Sequence, residues 1–225
     1  MIPKVELKRT LDGSDTLFVP ELKEHYHSTF GAVQESRHVF IENGLMAVDA
    51  MVDQVSVFEV GFGTGLNALL TLFTTKARRH KVQYTGIELY PIERSILESL
   101  NYTSFLEEPD AHEEFVRIHE TPWEIPHQLN PYFQLTKINA DLKSFVTQDA
   151  TFDVIFFDAF SPNVQPDLWT VPVFEKMFSF LRPDGILVTY SCKGIVKQNL
   201  KEAGFSIKRL PGPPGKWEML RARKK

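Results

Sequence analysis

The stretch Val57-Phe58-Glu59-Val60-Gly61-Phe62-Gly63-Thr64-Gly65-Leu66-Asn67 leaves this chain few ways to fold. An apolar, β-branched run leads into three glycines at alternate positions, and a helix-forming run follows at 66–72. That order reads as strand, tight turn, helix. Glycine accepts positive φ and lets another group lie against bare backbone. The helix after the turn opens with unpaired N–H groups and a positive dipole end.

The rest of the chain repeats the alternation. Strands are predicted at 56–60, 82–88, 133–138, 152–158, 185–190, 205–210 and 217–221. Helices are predicted at 66–79, after Pro91, at 166–181 and at 193–203. Pro91 suits a first helical position, where its missing N–H costs nothing. Residues 182–185 and 211–215, rich in Pro and Gly, read as turns. The run 152–158 is almost wholly apolar, as a strand covered on both faces must be. The expectation is an α/β, Rossmann-like fold with a seven-stranded, mostly parallel sheet and helices on both faces. Residues 103–130 fit poorly into a minimal βαβ unit and read as short helices and loops at a substrate-facing edge. Ahead of the main fold, 4–10 and 16–20 read as a hairpin around Asp12-Gly13-Ser14-Asp15. The segment 33–41 has helical spacing and ends near Asn43-Gly44. Residues 1–50 are therefore expected as an N-terminal extension and 51–225 as one globular domain.

Bulk properties bound the possibilities. A chain of 225 residues, 43% apolar, can bury one sizeable core. No apolar run approaches the ~20 residues of a membrane span, and the start Met1-Ile2-Pro3-Lys4 lacks the shape of a signal peptide. One cysteine, Cys192, excludes an internal disulfide and suggests a reducing, cytoplasmic setting. It is read as a buried structural thiol rather than a nucleophile. His25, His27 and His38 match no common metal-ligand spacing and have no cysteine near, so no metal is expected. The net charge of −4 hides an asymmetry: residues 193–225 hold ten Lys/Arg and two Asp/Glu. Such a basic end either meets a polyanion or solubilises the tail.

The glycine turn narrows the ligand. Its pattern, E-x-G-x-G-x-G, is neither the G-x-G-x-x-G of dinucleotide sites nor a phosphate loop, since Asn67 stands where a lysine would be needed. Glu59, two residues before Gly61, favours a ligand with a cationic end. The pattern of Glu59, Gly61, Gly63 and Gly65 resembles motif I of the class I S-adenosyl-L-methionine (SAM)-dependent methyltransferases. In parallel sheets, ligands sit beyond the carboxyl ends of strands, where strand order reverses. Glu88, Asp141 and Asp158 all fall at such ends. Each can instead be a helix cap; together, beside the turn, they favour one ligand. A carboxylate accepts two hydroxyl hydrogens, so Glu88 suits a ribose diol. Asp141, with Leu142 next to it, suits an adenine amino group. Glu59 can set the turn and receive an ammonium end.

Asp158-Ala159-Phe160-Ser161-Pro162 resembles the Asp/Asn-Pro-Pro-Tyr/Phe loop of amino-methyltransferases. A protonated amine has no free lone pair, and a carboxylate such as Asp158 can orient it and take up its proton. Phe160 can stack on a flat base. The alternatives are a capping role for Asp158 and a core role for Phe160.

Several segments together are similar to the methyltransferase domain of the MnmC family and its stand-alone MnmD relatives. They are Tyr26-His27-Ser28 with Gly31-Ala32, Gln34 to Ile41, the glycine turn through Asn67, Asp158 to Pro162 continuing into Pro166-Asp167-Leu168-Trp169, Arg182 to Gly185, Ala203-Gly204-Phe205, and Glu218-Met219-Leu220. The resemblance covers about residues 20–222. It implies N-methylation of the 5-aminomethyl group of wobble uridine in tRNA, often 2-thiolated, with SAM as donor and the anticodon stem-loop as partner. It implies that the glycine turn and Glu88 hold SAM, that Tyr26 and Glu35 close over it, and that Asp158 meets the target amine; Asn67, Asp141 and Leu142 are further candidate SAM contacts. Phe160, Ser161, Pro162, Lys216 and Arg221 would face the substrate. A flavin-dependent oxidase domain follows in bifunctional members; for this chain the expectation is no FAD and a substrate supplied by separate enzymes. Pro213-Pro214-Gly215-Lys216-Trp217 stands where relatives often have more basic residues. The competing readings are a small-molecule amine or carboxylate methyltransferase, a non-catalytic SAM-binding module and, disfavoured by glycine spacing, an oxidoreductase.

Overall fold

The computed structural model describes residues 4–48, 53–147 and 151–225. The Met1-Ile2-Pro3 start and the expected boundary at 50/51 lie outside the described residues. Strands are β1 (Glu6–Arg9), β2 (Asp15–Val19), β3 (Glu24–His25), β4 (Gln54–Val60), β5 (Lys81–Glu88), β6 (His127–Asn130), β7 (Phe133–Asn139), β8 (Phe152–Phe157), β9 (Leu181–Thr189), β10 (Ser206–Pro211) and β11 (Glu218–Arg223). Helices are α1 (Ala32–Ser36), α2 (Leu66–Arg78), α3 (Arg94–Leu97), α4 (Ala111–Glu120), α5 (Val171–Phe180) and α6 (Gly194–Glu202).

The central sheet has the order β10-β11-β9-β8-β4-β5-β7-β6. The five strands from β9 to β7 are mutually parallel, and antiparallel strands finish both edges. The chain winds outward in both directions from the β4/β8 pair, so the cleft where strand order reverses lies at their carboxyl ends. Side-chain alternation splits the core between the two faces. Val57, Tyr84, Leu135 and Phe156 pack with α2 and the N-terminal segment. Phe58, Ile155, Phe157 and Leu187 pack with α5 and α6.

The sheet has eight strands where seven were expected. The extra one, β6, is a short polar edge whose Leu129 alone is buried, so it carries no apolar alternation to read. Pro91 does not open a helix. Residues 89–93 leave β5 as a loop, and α3 begins only at Arg94 behind an extended Glu93. The helix expected at 166–181 is two pieces, because Pro172 has no N–H to continue the 3-10 turn Pro166–Trp169. The expected helix at 33–41 starts as α1 and widens into a π-helical segment, Arg37–Glu42, closed by Asn43 N–H to the His38 carbonyl at 3.3 Å. The turn at 182–185 is a bulge inside β9, between the pairs Phe152–Leu181 and Val154–Ile186. The N-terminal hairpin gains β3 as a third strand. Cys192 is half-buried against the α5/α6 side of the core, not buried.

Candidate active site

The β4–α2 turn is shaped by its neighbours. Gly61 and Phe62 N–H both donate to the Ile87 carbonyl at 3.0 Å, tying the turn to the end of β5. Gly61, Gly63 and Gly65 all have positive φ. A Cβ on Gly61 would sit 2.6 Å from the Asp158 carbonyl oxygen, so the turn and the β8 loop touch through bare backbone. Phe62 turns down into the sheet and fills the space left by Gly86, where a Cβ would lie 2.4 Å from its ring.

A cavity of about 480 Å³ opens above this turn, within the size range of sites for small organic ligands. Gly61 and Gly63 floor it, with Glu88, Leu89 and Tyr90 after β5, Asp141 and Leu142 after β7, and Asp158 to Phe160 after β8. Glu88 accepts Gly63 N–H at 3.0 Å and Tyr90 N–H at 2.9 Å. Each of its oxygens keeps a lone pair for a ligand, and burial raises its pKa above the usual carboxylate range. Asp141 accepts the Lys143 N–H at 2.8 Å, closing a turn at the cavity rim. The side chain that closes this turn also lines the cavity wall.

Tyr26 walls the cavity from the N-terminal segment, its ring edge-on to Phe160 at 5.0 Å. Behind Tyr26 lies a second cavity of about 340 Å³. Tyr26, Ala159 and Phe160 face both cavities and form the partition. The second is lined by Glu24, His27, Glu35, Ser161, Tyr190 and Lys216. Lys216 pairs with Glu35 and stands over the Tyr190 ring, 4.0 Å from its centroid. Glu35 also accepts Ser28 N–H at 2.8 Å. Ser161 donates to Glu24 at 2.6 Å, and the Tyr190 hydroxyl donates to the Ala159 carbonyl at 2.9 Å. Burial lowers the His27 pKa to about 4, so its imidazole is neutral at pH 7.

Asp158 lines the larger cavity directly before the partition residues Ala159 and Phe160. Its N–H donates to the Val60 carbonyl at 2.9 Å, fixing the β8 loop to β4. The Asn67 amide, in the first turn of α2, donates to Asp158 Oδ2 and to Glu59 Oε1, each at 2.8 Å. Burial pushes the Asp158 carboxyl up to about 7, and the Glu35 charge adds to this; Asn67 and Lys216 pull the other way. Burial also pushes Glu59 well above its usual range, assisted by Asp158 against the opposing Tyr84 contact. Glu59 Oε2 and Asn67 Oδ1 are buried without hydrogen-bond partners.

The residues singled out from sequence therefore occupy distinct places. Tyr26, Gly61, Gly63, Glu88, Asp141, Leu142, Asp158 and Phe160 line the larger cavity. Glu35, Ser161 and Lys216 line the second. Glu59 and Asn67 stand behind the wall, and Gly65 faces His119 and Phe62 under the turn. Pro162 is buried in the β8 loop. Arg221 lies on β11, its guanidinium 3.5 Å from the Asn43 carbonyl. Sequence reasoning missed Leu89, Tyr90 and Tyr190. The last directly follows β9 and was open to the same strand-end argument as Asp158.

A profile of the S-adenosyl-L-methionine-dependent methyltransferases matches residues 108–225. The tRNA 5-methylaminomethyl-2-thiouridine biosynthesis bifunctional protein MnmC of Pseudomonas fluorescens is 32% identical over 208 residues, covering 87% of this chain and 31% of that protein. The protein of the same name from Cupriavidus necator is 30% identical over 214 residues, covering 90% of this chain and 32% of that one. The chain thus spans about a third of the length of these curated relatives. Among solved structures, MNMC2 from Aquifex aeolicus superposes with a TM-score of 0.79 at 24% identity, over 99% of this chain and 71% of the other. Spermidine synthase from Thermotoga maritima gives 0.53 at 13% identity, over 99% and 73%. Both likenesses concern the fold.

Proposed function

Because the chain belongs to the S-adenosyl-L-methionine-dependent methyltransferase family, we propose that it N-methylates the 5-aminomethyl group of wobble uridine in tRNA. The observation that carries this reading is Asp158, a half-buried carboxylate in the wall of a cofactor-sized cavity, directly before the Ala159–Phe160 partition that divides it from a second one. The MnmC relatives, by name proteins of 5-methylaminomethyl-2-thiouridine biosynthesis, support the choice of substrate.

The larger cavity fits SAM on its own evidence. The turn at Gly61 and Gly63 leaves no room for side chains, and the rim carries acceptors, Glu88 and Asp141, between apolar walls at Leu142 and Leu168. Glu88 would take the ribose hydroxyl hydrogens, and Asp141 with Leu142 the adenine. Bound SAM supplies an electrophilic methyl group. The chain's own residues do the rest. Asp158 accepts a hydrogen bond from the amine and takes the proton that the nitrogen gives up. Its pKa of about 7 matches that task, since half of the population can accept a proton at neutral pH. Phe160 and Tyr26 exclude water from the partition. The N-terminal segment, through Tyr26 and Glu35, serves as a cover over both cavities.

The test is to incubate the protein and SAM with tRNA from cells lacking the modification, digest the product and weigh the nucleosides. A gain of one methyl on 5-aminomethyl-uridine is expected. No gain, with small amines methylated instead, overturns the tRNA reading.

A further inference from the structure

Trp217 is 97% exposed, whereas Trp169 is 2% exposed and Trp123 is half-buried. Its position is built. The β10–β11 loop is closed by Gly212 N–H to the Trp217 carbonyl at 3.1 Å and Lys216 N–H to the Pro213 carbonyl at 2.9 Å. His38 Nε2 bonds the Pro211 carbonyl at 2.8 Å, pinning the loop to the N-terminal segment. Gly215 is packed against Phe30, where a Cβ would lie 2.2 Å from the ring. Gly215 and Lys216, just before Trp217, line the second cavity, as does the 46%-exposed Phe30. The exposed indole thus directly follows two residues that line that cavity, on a hydrogen-bonded loop.

Charge accompanies it. Lys208 and Arg221 are register partners on β10 and β11, so their side chains share one face of the hairpin. The Arg221 guanidinium reaching Asn43 puts that face on the side of the N-terminal segment. Flat aromatic surface beside cations is the combination that holds unpaired bases and their phosphates.

We propose that Trp217 is a stacking platform for an unpaired base adjacent to the target nucleotide, with Lys208 and Arg221 contacting the flanking phosphates. The inference rests on the reading above only in taking RNA as the substrate. Withdrawing the target uridine from its stack exposes its neighbour's face, and an exposed indole next in sequence to the cavity lining replaces the lost stacking partner.

Full-length protein and unmodified tRNA test this. Trp217→Ala should raise the KM for tRNA roughly ten- to a hundred-fold, with kcat at saturation and SAM affinity unchanged; Trp217→Phe should recover most of the loss. RNA should quench the solvent-exposed tryptophan emission of the wild type, and Trp217→Phe should abolish the quench. An unchanged KM in Trp217→Ala, or a quench that survives in Trp217→Phe, overturns the proposal. If the wild type transfers no methyl to tRNA, the functional reading fails; the emission arm still decides whether the indole takes an RNA base.

Discussion

Removing the Asn67 amide should move the pH dependence of catalysis without emptying the cofactor cavity. Asn67 donates at 2.8 Å to Asp158 Oδ2 and is among the groups that hold that carboxyl down against burial and Glu35. A hydrogen bond to a charged group contributes ~1.5–3 kcal/mol, which at ~1.36 kcal/mol per unit is about one to two pKa units. The wild-type limb, set by an Asp158 pKa of about 7, should therefore rise by that amount in Asn67→Ala. The sign follows from the proposed role: an Asp158 that accepts the proton must be ionised, so raising its pKa removes active enzyme on the acid side. Single-turnover rates at saturating SAM, measured from pH 6 to 10, should fall roughly 5- to 50-fold at pH 7 and return toward wild type near pH 10. Because the substrate amine is common to both proteins, its own titration cancels in the comparison. SAM affinity by calorimetry should stay within about threefold, since Asn67 stands behind the wall. A limb that does not move, or a collapse of SAM affinity at all pH values, refutes the reasoning and makes Asn67 a cofactor ligand.

Asp158→Asn should stabilise the fold while abolishing turnover. The folded pKa of about 7 exceeds the ordinary 3.8, so wild-type stability falls as pH rises from about 4 to 7. The variant's advantage should reach about 2–4 kcal/mol at pH 8 and less than half of that at pH 5, read as melting temperatures. Gly61→Ala combines a φ of +85° with a Cβ 2.6 Å from the Asp158 carbonyl oxygen; it should lose SAM binding and activity. Gly194→Ala, whose Cβ meets nothing within 4 Å in the first turn of α6, should keep both and gain a few tenths of a kcal/mol in stability. Glu88→Gln should weaken SAM about 10- to 100-fold in calorimetry, by giving a donor where hydroxyl hydrogens need an acceptor; undiminished affinity would remove Glu88 from the cofactor site.

What was legible in the chain is what short-range pattern encodes. The glycine turn, Glu88 and Asp158 announce themselves because each sits where an apolar strand stops, and strand ends line a parallel sheet's cleft. The Asn67 bridge was not legible as a bridge, since its three members come from β4, α2 and the β8 loop and meet only on folding. The pair of Glu35 and Lys216 spans 181 positions and has no local signature. Tyr90 escaped notice because Pro91 looked like a helix start, whereas the backbone there serves as a cavity wall. β6 stayed hidden for the opposite reason: a polar edge strand needs no apolar face.

The second cavity takes its walls from positions 24–35 at one end of the sequence and 215–216 at the other. During synthesis Glu35 therefore waits for 181 further positions before its counterpart Lys216 exists. The glycine turn and the five parallel strands all precede residues 215–216 in sequence, so the second chamber is closed by residues added after every one of them. The second chamber is in this sense a property of the assembled fold, absent from the strands taken alone.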